Sequence, residues 1–202
     1  MAAGETRPIG PDDLQRAVRS VARIFGAQEV VIVGSQALLV GRNDIDRRLR
    51  MSVEIDAYPA NLHEWQELHP GEEASEVINA LLGEGSDFHK AFDFFVDGVD
   101  DTTAKLSPDW RDRAVRRTIQ VDDGTVEAVA PEPNDIVAAK LARGDPKDVQ
   151  FARICLTSGL AKHDEVRKRL EVIMADDLLG AALGRLSQAR HGPRPQSLGT
   201  DR

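Results

Sequence analysis

A run of β-branched residues that stops at a Gly-Ser pair, followed by a second strand with acids at alternate positions, constrains this chain more than any other feature. Glu29-Val30-Val31-Ile32-Val33 has no polar residue after Glu29 and predicts a buried strand. Gly34-Ser35 ends it, and a small helix is expected from Gln36-Ala37-Leu38-Leu39. Such a strand–turn–helix leaves backbone N–H groups in the turn, the raw material of a phosphate cradle. Met51 to Tyr58 then reads as a second strand. Side chains alternate along a strand, so Glu54 and Asp56 project from one face while Ile55 points into a core. Two acids beside a Gly-Ser turn suit a divalent cation and a nucleotide.

The remaining elements fall in around that stretch. Residues 1–10 read as a flexible leader. Pro11-Asp12-Asp13 starts a helix, with proline early and acids at the positive end, and Leu14, Val18, Val21 and Phe25 recur at helical spacing up to Gly26. Pro59 is expected to close the second strand, because proline cannot donate to a central ladder. Short helices are predicted around Leu62–Leu68 and over Glu72–Leu82, the latter with Ala74, Val77, Ile78, Leu81 and Leu82 on its apolar face. Phe92 to Gly98 is the third strand, and Asp97 at its end is the third-acid candidate, with Asp93 the alternative. Asp122-Asp123-Gly124 between two strand-like runs, Ala114–Val121 and Thr125–Ala130, predicts a hairpin. Beyond residue 130 the pattern turns helical, and 191–202, rich in Gly, Pro and Ser, reads as disordered. The fold class is therefore mixed α/β, with a core over 11–130 and a helical part over 131–190.

Composition limits what such a chain does. The formal net charge of −8 argues against a general grip on nucleic acid, which needs a broad basic surface. Two basic segments stand out locally. The loop Arg42–Arg50 is either solvated or faces phosphate or acceptor, and Arg111, Arg113, Arg116 and Arg117 are either a solvated edge or a steering patch. The single cysteine, Cys155, falls on an apolar helical face and reads as a buried structural thiol. No apolar run reaches membrane-spanning length and no leader signal is visible, so a cytoplasmic protein without a membrane is expected. His63, His69, His163 and His191 form no metal-ligand spacing, and His89 reads as a capping or packing residue. Neither a P-loop nor a dinucleotide-binding glycine turn is present.

Val33-Gly34-Ser35 followed by Glu54-Ile55-Asp56 resembles the signature of the nucleotidyltransferase superfamily. Gly-Ser-Gln-Ala-Leu at 34–38, Ser52-x-Glu54-x-Asp56-x-Tyr58-Pro59, Gly85-Ser86-x-Phe88-His89, Asp97-Gly98-Val99, Asp135-x4-Lys140-Leu141 and Lys147-Asp148 are similar to a family of small bacterial nucleotidyltransferase-like proteins. That family is allied to the AbiEii/MenT-type toxins of toxin–antitoxin systems. The resemblance spans Val31 to Leu160. It implies a nucleotidyltransferase-like mixed sheet flanked by helices. It also implies a Mg²⁺-dependent transfer of a nucleoside monophosphate from an NTP to an acceptor, with Mn²⁺ as the alternative metal. Glu54 and Asp56 would be the metal ligands, with Asp97 and Asp148 completing the catalytic acids. Gly34, Ser35, Lys140 and Lys147 would bind the nucleotide. The acceptor would be tRNA or other RNA, a protein or a small molecule, and a cognate antitoxin would be a partner. The alternative is an inactive nucleotide- or partner-binding module of the same fold. The sequence departs in beginning its acid pair with Glu and in the long gap between Ser35 and Glu54.

Overall fold

The computed structural model describes residues 7–191. The chain divides into two units, one running to Glu132 and one beginning at Pro133.

The first unit is built on a five-stranded mixed sheet of order β3-β2-β1-β5-β4: β1 (Glu29–Ile32), β2 (Glu54–Pro59), β3 (Phe95–Gly98), β4 (Val115–Val121) and β5 (Gly124–Ala130). β1 lies in the middle, antiparallel to β2 and parallel to β5. Its Val30, Val31 and Ile32 are fully buried, as a β-branched run flanked by two strands requires. β2 and β3 are parallel, with Asp56 opposite Asp97 and Ala57 opposite Gly98.

Helix α1 (Pro11–Phe25) packs across β1, β2, β4 and β5. It starts at Gly10, whose N–H donates to the Asp13 carboxylate at 2.8 Å, and stops at Gly26 in the left-handed conformation, φ 60°. Leu14, Val18, Val21 and Phe25 form its buried stripe, each contributing roughly 1.5–3 kcal/mol. The segment α2 (Leu38–Gly41) follows the Gly-Ser turn. Helix α3 (Leu62–Leu68) places Trp65 edge-on to Phe25, and α4 (Ala74–Leu82) packs against β3. Ala74, Ile78 and Leu82 are buried, whereas Leu81, expected inside, is exposed.

Several expectations change in detail. Helix α5 (Asp87–Phe92) occupies the start of the predicted third strand. Ser86 caps it by accepting from the His89 N–H, and Phe88 and Phe92 pack edge-on into an aromatic cluster with Phe94. Pro59 closes β2 as its last residue, as expected, and stands opposite Val30. In the hairpin, Asp122-Asp123 form the turn and Gly124 already belongs to β5. The flexible leader lies in part outside the described residues, but its last residues are anchored. Ile9 is buried, its N–H donates to the Arg50 carbonyl, and Arg7 forms a two-pronged pair with Asp13.

The second unit is helical: α6 (Pro133–Arg143), α7 (Pro146–Thr157), α8 (His163–Ile173) and α9 (Asp176–His191). Packing is dense where α6 meets α7 and α8, and where α7 meets α9. Gly144, φ 85°, breaks α6 from α7. The tail expected to be disordered lies, apart from His191, outside the described residues.

Candidate functional site

The Gly34 turn and Asp56 meet. Gly34 has φ 68°, a left-handed conformation that favours glycine. A Cβ built there would lie 1.9 Å from the Asp56 Oδ2. The carboxylate therefore fills the space that any side chain at 34 would need. One hydrogen bond also fixes the approach: the Val33 N–H donates to the Asp56 carbonyl at 3.0 Å. Ser35 follows on the half-buried turn, ahead of α2.

Strand alternation sets which way the acids point. Ile55 and Ala57 are fully buried, while Glu54 and Asp56 are half-buried on the opposite face. A side chain on Gly98 would sit 2.2 Å from the Ser75 carbonyl oxygen, so that face of β3 is pressed against α4. Strand alternation puts Asp97 on the other face of β3, where it stands in register with Asp56 of β2. Burial lifts the Asp97 carboxyl above the ordinary carboxylate range, and the nearby Glu54 charge adds to that. Glu54, Asp56 and Asp97 thus share a face of two adjacent strands next to a turn stripped of side chain. Asp93, the alternative third acid, is exposed and caps α5 in the left-handed conformation, φ 59°.

Among the described residues no group of three or more His, Cys, Asp or Glu could hold a metal ion alone. A cation at this face would need oxygens beyond those of the protein, from water or from a ligand's phosphates, as Mg²⁺ with one or two carboxylates commonly takes. The donor set is all oxygen, and the crowding of like charges felt by Asp97 is what a cation would relieve.

Lys140, Lys147 and Asp148 belong to the second unit. Asp148 is 1% exposed. It accepts from Arg143 through both oxygens, at 2.8 and 3.1 Å, and from the Asp145 N–H at 3.2 Å in a capping box at the start of α7. Lys140 Nζ lies 3.7 Å from Asp148 Oδ1 and 4.8 Å from the Phe151 ring centroid. Lys147 is exposed. The Arg143–Asp148 pair was not visible to sequence reasoning. Its one signal is the Asp145-x-x-Asp148 spacing of a capping box with Pro146 at the helix start.

The two basic segments are largely occupied. Arg111 and Arg116 reach Glu29 at 3.6 and 2.6 Å, Arg113 reaches Asp109 at 2.8 Å, and Arg117 donates to Asn43. Arg111 and Arg113 sit on a 3₁₀ turn, and Arg116 and Arg117 are on opposite faces of β4. In the Arg42–Arg50 loop, Arg42 pairs with Asp44, and Arg48 pairs with Asp46 and pulls that carboxyl down to about 2. Arg50 is a structural staple, donating to the carbonyls of Ile45 and Ile9 at 2.9 and 2.7 Å. His89 caps: its Nδ1 accepts from the Gly85 N–H.

A mixed five-stranded sheet with a glycine turn pressed on an acid-bearing strand defines a nucleotidyltransferase-like α/β protein. Residues 12–171 match the family described as nucleotidyltransferase of unknown function (DUF6036), and the chain belongs to that family. No curated protein and no solved structure matches it. No helix among the described residues is long and apolar enough to cross a membrane.

Proposed function

We propose that this protein transfers a nucleoside monophosphate from an NTP to an acceptor hydroxyl, with Mg²⁺ held by Glu54 and Asp56. The observation that carries the reading is the contact between Gly34 and the Asp56 carboxylate, beside an in-register Asp97. Lacking a side chain, Gly34 admits the Asp56 carboxylate against the turn, and Ser35 on that turn offers its hydroxyl to the phosphates. Mg²⁺, or Mn²⁺ in its place, supplies charge neutralisation and alignment when bound. Asp97, with its raised affinity for a proton, is the carboxylate suited to take the proton of the attacking hydroxyl. The acceptor oxygen bonds to the α-phosphorus, the bond from that phosphorus to the bridging oxygen breaks, and pyrophosphate leaves.

The acceptor class is RNA such as a tRNA end, a protein or a small molecule. The net charge of −8 and the acid-paired arginines weigh against a broad electrostatic hold on RNA. Toxicity relieved by a cognate antitoxin is the expected behaviour if the protein is the toxin of such a pair.

The test incubates the protein with Mg²⁺, α-labelled NTPs and either total RNA or lysate. Asp56→Asn is expected to lower label transfer on the order of a hundredfold or more. Equal labelling by the variant removes Asp56 from the site. Nucleotide binding with no transfer to any acceptor makes the protein a binding module instead.

A further inference from the structure

We propose that this protein pairs with a second copy of itself through a groove between α1 and the tip of the β4–β5 hairpin, each copy setting its acidic tip against the arginines of the other's α1. The groove has a volume of about 1000 Å³, and every residue lining it belongs to the first unit. It lies at the end of the sheet where β1 begins, whereas Gly34 and Asp56 meet beyond the end where β1 stops. The proposal therefore stands apart from the transferase reading. Arg19 and Arg23 line the groove from α1, Asp122 and Asp123 line it from the hairpin turn, and Ala27 and Val126 add apolar surface. A hollow of about 420 Å³ shares Arg19 and Ser20 with it and extends the concave surface along α1.

The charges of this groove are left without mates. Elsewhere in the unit arginine meets acid: Arg42, Arg48, Arg111, Arg113 and Arg116 each pair with a carboxylate. Arg23, Asp122 and Asp123 are exposed, and none of the three has an ionic partner among the described residues. Arg19 donates to the Gln120 carbonyl at 2.8 Å and to Gln15 at 3.3 Å, which orients its guanidinium and leaves its charge unneutralised. The two walls carry opposite signs and do not close on each other.

An occupant has to answer both walls. An acidic peptide suits the arginines but is repelled by Asp122, Asp123 and the net charge of −8. A basic peptide meets the reverse conflict at Arg19 and Arg23. A second copy answers both, because a two-fold axis that sets residue i on j also sets j on i, so each arginine wall faces an aspartate wall. The tip is shaped to enter. Asp122 and Asp123 form a two-residue turn, Thr125 is exposed, and a Cβ built on Gly124 would meet nothing within 4 Å. Any register that faces like charges is opposed, so the same four side chains that attract also select the geometry.

The test is sedimentation velocity of the full-length protein over a dilution series. The wild type is expected to be a dimer that dissociates on dilution. Arg19→Glu with Arg23→Glu, and separately Asp122→Lys with Asp123→Lys, are each expected to raise the dimer dissociation constant on the order of a hundredfold, since like charges then face each other. An equimolar mixture of the two variants is expected to restore the dimer, because the reversed helix wall of one meets the reversed hairpin of the other while the native walls meet as before. A wild type that is monomeric throughout overturns the proposal and leaves the groove to a foreign partner. A dimer indifferent to either reversal also overturns it, since another face then joins the copies, and so does a mixture of two folded variants that stays monomeric. Should a reversal lose its thermal transition, Arg19→Gln with Arg23→Gln is expected to weaken the dimer about tenfold, and an unweakened dimer overturns the proposal.

Discussion

At the scale of single residues, Asp97 shows how a site can work against the fold that carries it. Burial first, and then the Glu54 charge, raise its folded affinity for a proton above that of the unfolded chain. A raised carboxyl favours the folded state below its unfolded value, near pH 4, and that contribution is lost as pH rises through the folded value. At neutral pH the ionised Asp97 therefore costs stability in metal-free protein. Asp97→Asn is expected to raise Tm in EDTA by about 1–3 °C at pH 7, with the gain vanishing near pH 4. It is expected to lower label transfer by about a hundredfold. Thermal melts at the two pH values check the first point; a destabilised variant at pH 7 would contradict it. The acid pair was legible in advance because alternation along a strand is local: Ile55 had to point inward, so Glu54 and Asp56 had to point out. The company of Asp97 was less so, since its partner in register lies on another strand and Asp93 offered the same chemistry four residues earlier.

Elements show where local pattern reading succeeds and where distance defeats it. α1 was plain from Pro11, its apolar stripe and Gly26, all within one segment. α5 was not, because it is only six residues long with no buried stripe, and what marks it is the Ser86 cap and the packing of Phe88 and Phe92 with Phe94 beyond it. The arginine-rich loop was opaque for a related reason. Arg50 matters through carbonyls at Ile45 and Ile9, the latter far back in sequence. Arg50→Ala is expected to destabilise by about 1–3 kcal/mol, seen as a lower urea midpoint, since it strips partners from two carbonyls. Arg48→Ala, at an exposed pair, is expected to leave the urea midpoint essentially unchanged. Equal effects of the two would remove the staple role from Arg50.

For the whole molecule, the informative measurement is linkage. A ligand that binds only the folded state raises its stability by about 2.7 kcal/mol at a hundredfold excess over Kd, or about 5–11 °C in a chain of this size. Mg²⁺ with an NTP is expected to give such a shift, and Mg²⁺ alone a much smaller one, because no three described His, Cys, Asp or Glu side chains could hold a metal ion alone. Differential scanning fluorimetry with each NTP checks this; a flat response to all four would count against the nucleotide site. The family membership was within reach of the sequence because the glycine turn and acid strand are short-range signatures. The strand order was not, because β1 takes its parallel neighbour from the far end of the unit.

That placement of β1 bears on how the protein is made. Its Glu29 lies against Glu127, about a hundred positions further along. A ribosome adding about 5–20 residues per second leaves one flank of the middle strand bare for on the order of 5–20 s. During that interval Val30, Val31 and Ile32 form a sticky ribbon beside a nascent hairpin-like pairing with β2, waiting for a neighbour still to be synthesised. Yield in the cell should then track translation speed and chaperone supply as much as the final stability of the fold.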